Sequence, residues 1–279
     1  MTEYNKEELE RFAANIRLKT LGAITKRGFG HVGGAMSIAD VLAALYGYVM
    51  RIDPKNPSWE ERDWLVCSKG HAGPALYAAL AIKGYFDEKV LDTLNRGGTI
   101  LPSHCDRNKT PGIDMTTGSL GQGISTAIGV ALGNRLDNKD NYTYLILGDG
   151  ELNEGQIWEG AMFANHFKLD NLIVFVDYNK QQLDGYTKDI MDIGDIGAKF
   201  AAFGWDVIKV DGHNPAAICD AVKEAKSAAG KPSVIILDTF KGRGCTFAEG
   251  LLDNHHMVVS EEQGRTAMDA VRQKLSELE

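Results

Sequence analysis

Apolar residues along this chain recur at two periods. Over residues 6–27, Leu9, Phe12, Ala13, Ile16, Ala23 and Ile24 keep to one helical face, interrupted on that face only by the polar Thr20. A glycine-rich loop, GFGHVGGAMS, comes next, and Ser37 is the expected N-cap of a helix through ADVLAALYGYVM. DWLVCS (63–68) reads as a short buried strand running into KGHAG, and PALYAALAIKGY after it is helical. Residues 95–117 carry turn residues throughout and are expected to be irregular, while residues 119–136 form another helix.

The second half is more regular. YTYLIL (142–147) is a near-continuous apolar run of the kind that a parallel sheet buries on both faces. It stops at GDG, a helix follows over GQIWEGAMFANHF, and LIVFVDYN (172–179) is the next strand, which makes a β-loop-α-β crossover unit. WDVIKV (205–210) and SVIILDT (233–239) are further strands with a helix over 214–229 between them, and a polar helix ends the chain at about 260–277. With no internal repeat and no linker-like stretch, the economical fold is one domain over residues 1–279, a doubly wound, mostly parallel α/β sheet with helices on both faces.

Composition narrows the chemistry. The 279 residues carry a formal net charge of −8 with no basic cluster, so neither nucleic acid nor an anionic membrane is an expected partner. The four cysteines, Cys67, Cys105, Cys219 and Cys245, are far apart and form no CxxC pair, which argues for thiols in a reducing compartment. The charged N-terminal segment is not a signal peptide, and no apolar run approaches the roughly 20 residues of a membrane span. A soluble, cytoplasmic protein is the expectation.

In an open parallel sheet, ligands bind beyond the carboxyl ends of the strands. The loops GFGHVGG, KGHAG, TTGSLGQG and GDGELNEG follow strand or helix elements there, and glycine lets a backbone approach a ligand closely. Helices after GDG and GSLGQG offer free N–H groups and a positive dipole end to a diphosphate. Such a group needs a hard divalent cation, and Asp149 stands at one strand end with Asn179 at the next. Those two side chains, one main-chain carbonyl, diphosphate oxygens and water would complete an octahedron.

The segment from Gly148 to Gly185, GDGELNEGQIWEGAMFANHFKLDNLIVFVDYNKQQLDG, resembles the thiamine diphosphate signature of GDG, slightly under thirty residues, then Asn. RDWLVCSKGHAGPALYAAL, TPGIDMTTGSLGQGIS and FGHVGGAMSIADVLAAL are similar to stretches of transketolases, and the resemblance runs from about residue 10 to 260. Full transketolases are more than twice as long, so the chain resembles the N-terminal, diphosphate-binding subunit of a split transketolase. By that resemblance Asp149, Asn179 and the Gln181 main-chain carbonyl hold magnesium, for which calcium or manganese can substitute. Gly118, Leu120, Gly150, Asn179 and His71 contact thiamine diphosphate. His31 lies near the reacting carbon, and His255 faces the substrate from a late loop, although His256 can be the match instead. His104 falls on a family histidine, whereas Gly98 stands where many transketolases have another. Glu154 matches a glutamate that crosses the subunit interface toward the catalytic glutamate. Glu159 reads as an acid favourably placed on the helix after GDG, and His166 and His213 read as structural.

The resemblance implies transfer of a two-carbon ketol unit from a ketose or its phosphate to an aldose, with the cofactor as electron sink. The glutamate that pairs with the cofactor's pyrimidine would lie in a C-terminal partner subunit, giving an assembly of two copies of each chain and no activity without the partner. The donor sugar is open: sugar phosphates of the pentose phosphate pathway, branched ketoses and sulfonated ketoses are all compatible. Rival readings are a deoxyxylulose-phosphate synthase-like protein, a 2-oxo acid dehydrogenase α subunit, and a non-catalytic cofactor-binding relative. A nucleotide-binding Rossmann protein is more remote, because no GxGxxG follows the first strand.

Overall fold

A computed structural model describes residues 4–278; residues 1–3 of the N-terminal segment and residue 279 lie outside the described residues. In chain order its helices and strands are α1 (Lys6–Arg27), β1 (Phe29–Gly30), α2 (Gly33–Ser37), α3 (Ala39–Ala44), β2 (Trp64–Cys67), α4 (Gly73–Lys83), α5 (Gln122–Leu136), β3 (Thr143–Gly148), α6 (Gly155–His166), β4 (Leu172–Tyr178), α7 (Thr187–Ile190), α8 (Ile196–Ala202), β5 (Asp206–Asp211), α9 (Pro215–Ala225), β6 (Ser233–Asp238), β7 (Met257–Val258) and α10 (Glu261–Ser276). Asn5 caps α1 by accepting the Glu7 amide, and Gly28 ends it with a left-handed φ of 88°.

β2, β3, β4, β6 and β5, in that spatial order, form a parallel five-stranded sheet. Alternation along the strands sends Tyr144, Ile146, Ile173, Phe175, Ile235 and Leu237 to one face, against α1, α3, α4 and α9. Leu145, Leu147, Val174, Val176, Val234 and Ile236 point to the other face, against α5, α6 and α8. Both faces are therefore covered, which explains the near-continuous apolar runs at 142–147 and 172–179. Among the described residues, no helix is long and apolar enough to cross a membrane.

Several local expectations change. Ser37 is not an N-cap: it closes α2, and its hydroxyl contacts the Gly34 carbonyl at 3.1 Å and Asp177 Oδ2 at 2.6 Å, because a buried carboxylate is a stronger acceptor for it. The helix expected after it breaks into α3 and a π-helical turn at Leu45–Val49. The helix expected from 119 begins at Gln122, after Gly121 at a φ of 83°. β6 inserts between β4 and β5, a pairing that chain order does not reveal. β1 and β7 form a small antiparallel sheet, Phe29 opposite Val258 and Gly30 opposite Met257, that a periodicity reading passes over.

Thr20, the polar residue on the apolar face of α1, is fully buried and donates to the Ile16 carbonyl at 2.7 Å. A larger polar cluster ties α1 to α3. Arg17 donates to Asp40 Oδ1 at 3.1 Å and also pairs with Oδ2, which His213 Nδ1 meets at 2.8 Å. His213 Nε2 accepts the Phe240 amide, so the imidazole proton sits on Nδ1, toward Asp40. Burial alone would raise the Asp40 carboxyl, but the Arg17 guanidinium and His213 outweigh it and hold its pKa well below the usual carboxylate range. Asp40→Asn keeps the volume and leaves Arg17 buried without its countercharge, so urea unfolding is expected to show a loss of about 3 kcal/mol. A folded-state pKa below the unfolded value stabilises above the unfolded pKa of about 4, and that contribution disappears as pH falls further. The variant should therefore lose less stability than wild type on acidification below about pH 4; equal losses would remove Asp40 from the account.

Candidate functional site

The strand ends of the sheet surround a cavity of about 350 Å³. Register places the carboxyl ends of β3 and β4 together, Gly148 opposite Asp177, so Asp149 and Asn179 come to adjacent corners of one wall. His31, His71, His104, His255, Gly118, Leu120, Gly150 and Gln181 line the same cavity. His256 is not part of the lining; its ring packs 4.8 Å from that of His31 and 5.7 Å from that of Phe29. Glu154 and Glu159 are exposed outside the wall, and a Cβ on Gly121 would lie 2.7 Å from that of Glu154. Gly98 lies away from the lining, in the irregular segment 95–117. His166 ends α6 against Phe167, and His213 belongs to the Arg17–Asp40 cluster.

The imidazoles converge from distant parts of the chain. His31 follows β1 and His255 precedes β7, so pairing of those two short strands brings them to a ring separation of 5.3 Å. His71, in a turn after β2, is 5.4 Å from His31 and 4.7 Å from His255, and His104 is 5.3 Å from His31. Burial, joined by the neighbouring imidazoles, lowers His31 to about 3. Burial and the cations Lys241 and Lys69 lower His255 to about 4, and burial and Lys69 push His71 well below its usual value. All three are uncharged at neutral pH, each with one N–H donor and one acceptor nitrogen.

The same lining also carries carboxylate and amide groups. Asp149 Oδ1 accepts the Gly150 amide at 2.8 Å and Oδ2 accepts the Lys180 amide at 2.5 Å. Burial and the nearby Asp177 charge push its carboxyl up to about 7. A divalent cation in this corner would favour the ionised form. Asn179 Nδ2 donates to Asp177 at 2.9 Å, which fixes the amide with its oxygen directed away, where it accepts the Gln181 amide at 3.1 Å. The Gln181 side-chain oxygen is buried with no hydrogen-bond partner. No three His, Cys, Asp or Glu side chains among the described residues are grouped to hold a metal. A cation here would draw on the single Asp149 carboxylate, the Asn179 amide oxygen, a main-chain oxygen and oxygens of its ligand, a donor set that suits magnesium bound to a diphosphate.

Four charged residues went unremarked in the sequence. Lys69, Glu151 and Lys241 line the cavity with 2%, 2% and 3% exposure, and Asp177 lies fully buried behind it. Asp177 accepts from Lys69 Nζ at 2.5 Å, Ser37 at 2.6 Å, Asn179 at 2.9 Å and Thr239 at 2.5 Å. Burial would raise its pKa, but the Lys69 charge and these donors leave it lowered. Burial and the Lys69 charge lower Lys241 to about 8, with Nζ donating to the Gln182 carbonyl at 3.1 Å. An available signal was the carboxylate inside the apolar run LIVFVDY, since a charge in a buried strand demands a partner.

Comparison with known proteins places the chain in a family. Residues 9–275 match the model of the transketolase thiamine diphosphate binding domain. The chain is 58% identical over 261 residues to a 6-deoxy-6-sulfo-D-fructose transketolase subunit of Clostridium sp. (strain MSTE9), covering 94% of this chain and 95% of that one. It is 38% identical over 273 residues to a subunit of the apulose-4-phosphate transketolase of Phocaeicola vulgatus, covering 98% and 97%. A Pichia stipitis transketolase solved in complex with sedoheptulose 7-phosphate superposes with a TM-score of 0.85 at 30% identity, over 98% of this chain. The chain spans 46% of that structure, about half its length. It belongs to the transketolase family, as a counterpart of the N-terminal, thiamine diphosphate-binding subunit of split transketolases.

Proposed function

We propose that the chain, as a single thiamine diphosphate-binding domain over residues 1–279, is the diphosphate-side half of a transketolase that moves a two-carbon ketol unit from a ketose to an aldose. The observation that carries this reading is that Asp149, Asn179 and Gln181 line one cavity with four histidines at the strand ends. Asp149, Asn179 and the Gln181 main-chain carbonyl would hold magnesium, and Gly118, Leu120, Gly150 and His71 would hold thiamine diphosphate. When bound, thiamine diphosphate supplies the electron sink for carbon–carbon cleavage. His31 and His255, uncharged through burial, orient the donor sugar and exchange hydrogen bonds with its hydroxyls. For the donor we favour a sulfonated ketose of the 6-deoxy-6-sulfofructose type, supported by the 58% identity to a relative named for that sugar. A cytoplasmic location is in keeping with such a sugar substrate.

The partner would supply the pyrimidine-binding domain and the catalytic glutamate, with exposed Glu154 reaching toward it and two copies of each chain in the assembly. Both relatives are named as subunits, with matches over nearly their whole length, which supports this.

Calorimetric titration tests the metal assignment. Asp149→Ala should abolish magnesium-dependent binding of thiamine diphosphate and leave the fold intact, because one carboxylate is lost from a loop. A variant that binds like wild type would disprove the assignment.

The histidines should divide by position. His71→Ala is expected to weaken cofactor affinity first, and His31→Ala to lower turnover by about 100-fold while cofactor affinity changes little. Equal cofactor affinities in the two variants would undo that division.

Mixing tests the partner. With thiamine diphosphate, magnesium and 6-deoxy-6-sulfofructose as donor, the chain alone should transfer no ketol unit to an aldose phosphate, and activity should appear once a subunit carrying the pyrimidine-binding domain is added. Full turnover by the chain alone would sink the split-enzyme reading.

A further inference from the structure

Glu151 reaches across three loops that lie far apart in sequence. Its Oε1 accepts the Gly121 amide at 2.8 Å and also the Ser68 hydroxyl, while Oε2 accepts the Gly148 amide at 3.1 Å. Ser68 precedes the KGHAG loop that carries His71, Gly121 ends the loop that carries Gly118 and Leu120, and Gly148 opens the GDG turn that carries Asp149. Each loop contributes to the cavity wall. The loops are also pressed together: a Cβ on Gly123 would lie 2.2 Å from Ser68 Oγ, and one on Gly70 would lie 2.6 Å from the Thr117 carbonyl oxygen. With 2% of its surface exposed, Glu151 has almost no water to take over these bonds.

We infer that Glu151 is a positioning residue for cofactor binding, holding the three loops in register so that their diphosphate contacts fall on one surface. The inference rests on the cofactor reading above. A carboxylate accepts at both oxygens and so satisfies three donors at once. A glutamine in its place offers one acceptor oxygen, and its NH2 group would confront the Gly148 or the Gly121 amide donor to donor. Shape is then kept and register is lost. A residue that only filled space would tolerate the exchange.

Calorimetric titration of the full chain with thiamine diphosphate and magnesium, beside thermal melts without cofactor, tests this. Glu151→Gln should weaken cofactor affinity by about tenfold or more, the loss expected when buried donors go unpaired. Ile218→Ala, a cavity-forming change on α9 remote from these loops, should lower the melting temperature and leave cofactor affinity unchanged. Ser68→Ala should weaken binding in the wild-type background and add little on top of Glu151→Gln, because both act through one carboxylate. If Glu151→Gln does not fold, Ser68→Ala alone carries the test through its weaker affinity. Wild-type affinity in Glu151→Gln, or in Ser68→Ala where the first does not fold, overturns the inference alone. A wild-type chain without magnesium-dependent binding overturns the cofactor reading and this inference with it.

Discussion

Lys69 and Asp177 form an ion pair with 2% and 0% exposure, and the strand-end site is organised around it. Removing two charges from water is costly, and such a pair persists where further hydrogen bonds satisfy it. Here Ser37 of α2, Asn179 after β4 and Thr239 after β6 all bond the same carboxylate. One buried contact thereby joins the ends of β2, β4 and β6 to α2. It also turns the Asn179 amide so that its oxygen faces away from Asp177, and it places a fixed positive charge beside Glu151, His71 and His255.

Around this pair the cavity lining combines two kinds of chemistry. One is a set of imidazoles kept uncharged by burial, suited to hydrogen bonding with a polyhydroxylated ligand. The other is Asp149, whose raised pKa reflects an anionic, dehydrated corner. A divalent cation bound there would offset that negative charge and favour the ionised carboxylate.

Much of this was legible in the sequence because parallel strands obey strong rules. The runs at 142–147 and 172–179 read as consecutive buried strands, and their pairing brings Asp149 and Asn179 to adjacent strand ends. What stayed hidden depended on long-range pairing. β1 and β7 are two residues each, too short for periodicity, yet they bring His31 beside His255. The insertion of β6 beside β4, which puts Thr239 on Asp177, is likewise absent from chain order. Ser37 looked like a cap because its true acceptor lies 140 residues away. Lys69 lies inside the KGHAG motif, but its role depends on Asp177, 108 residues further along the chain.

Asp149, Asn179 and Gln181 are proposed to bind a metal that in turn grips a diphosphate. Phosphorus nuclear magnetic resonance of thiamine diphosphate mixed with the chain, with manganese replacing magnesium, reads that contact directly. Both phosphorus signals should broaden strongly in the presence of the chain, more than with manganese alone, and sharpen again when excess magnesium displaces the manganese. Signals that broaden no more with the chain than without it would contradict a metal-bridged diphosphate at this site.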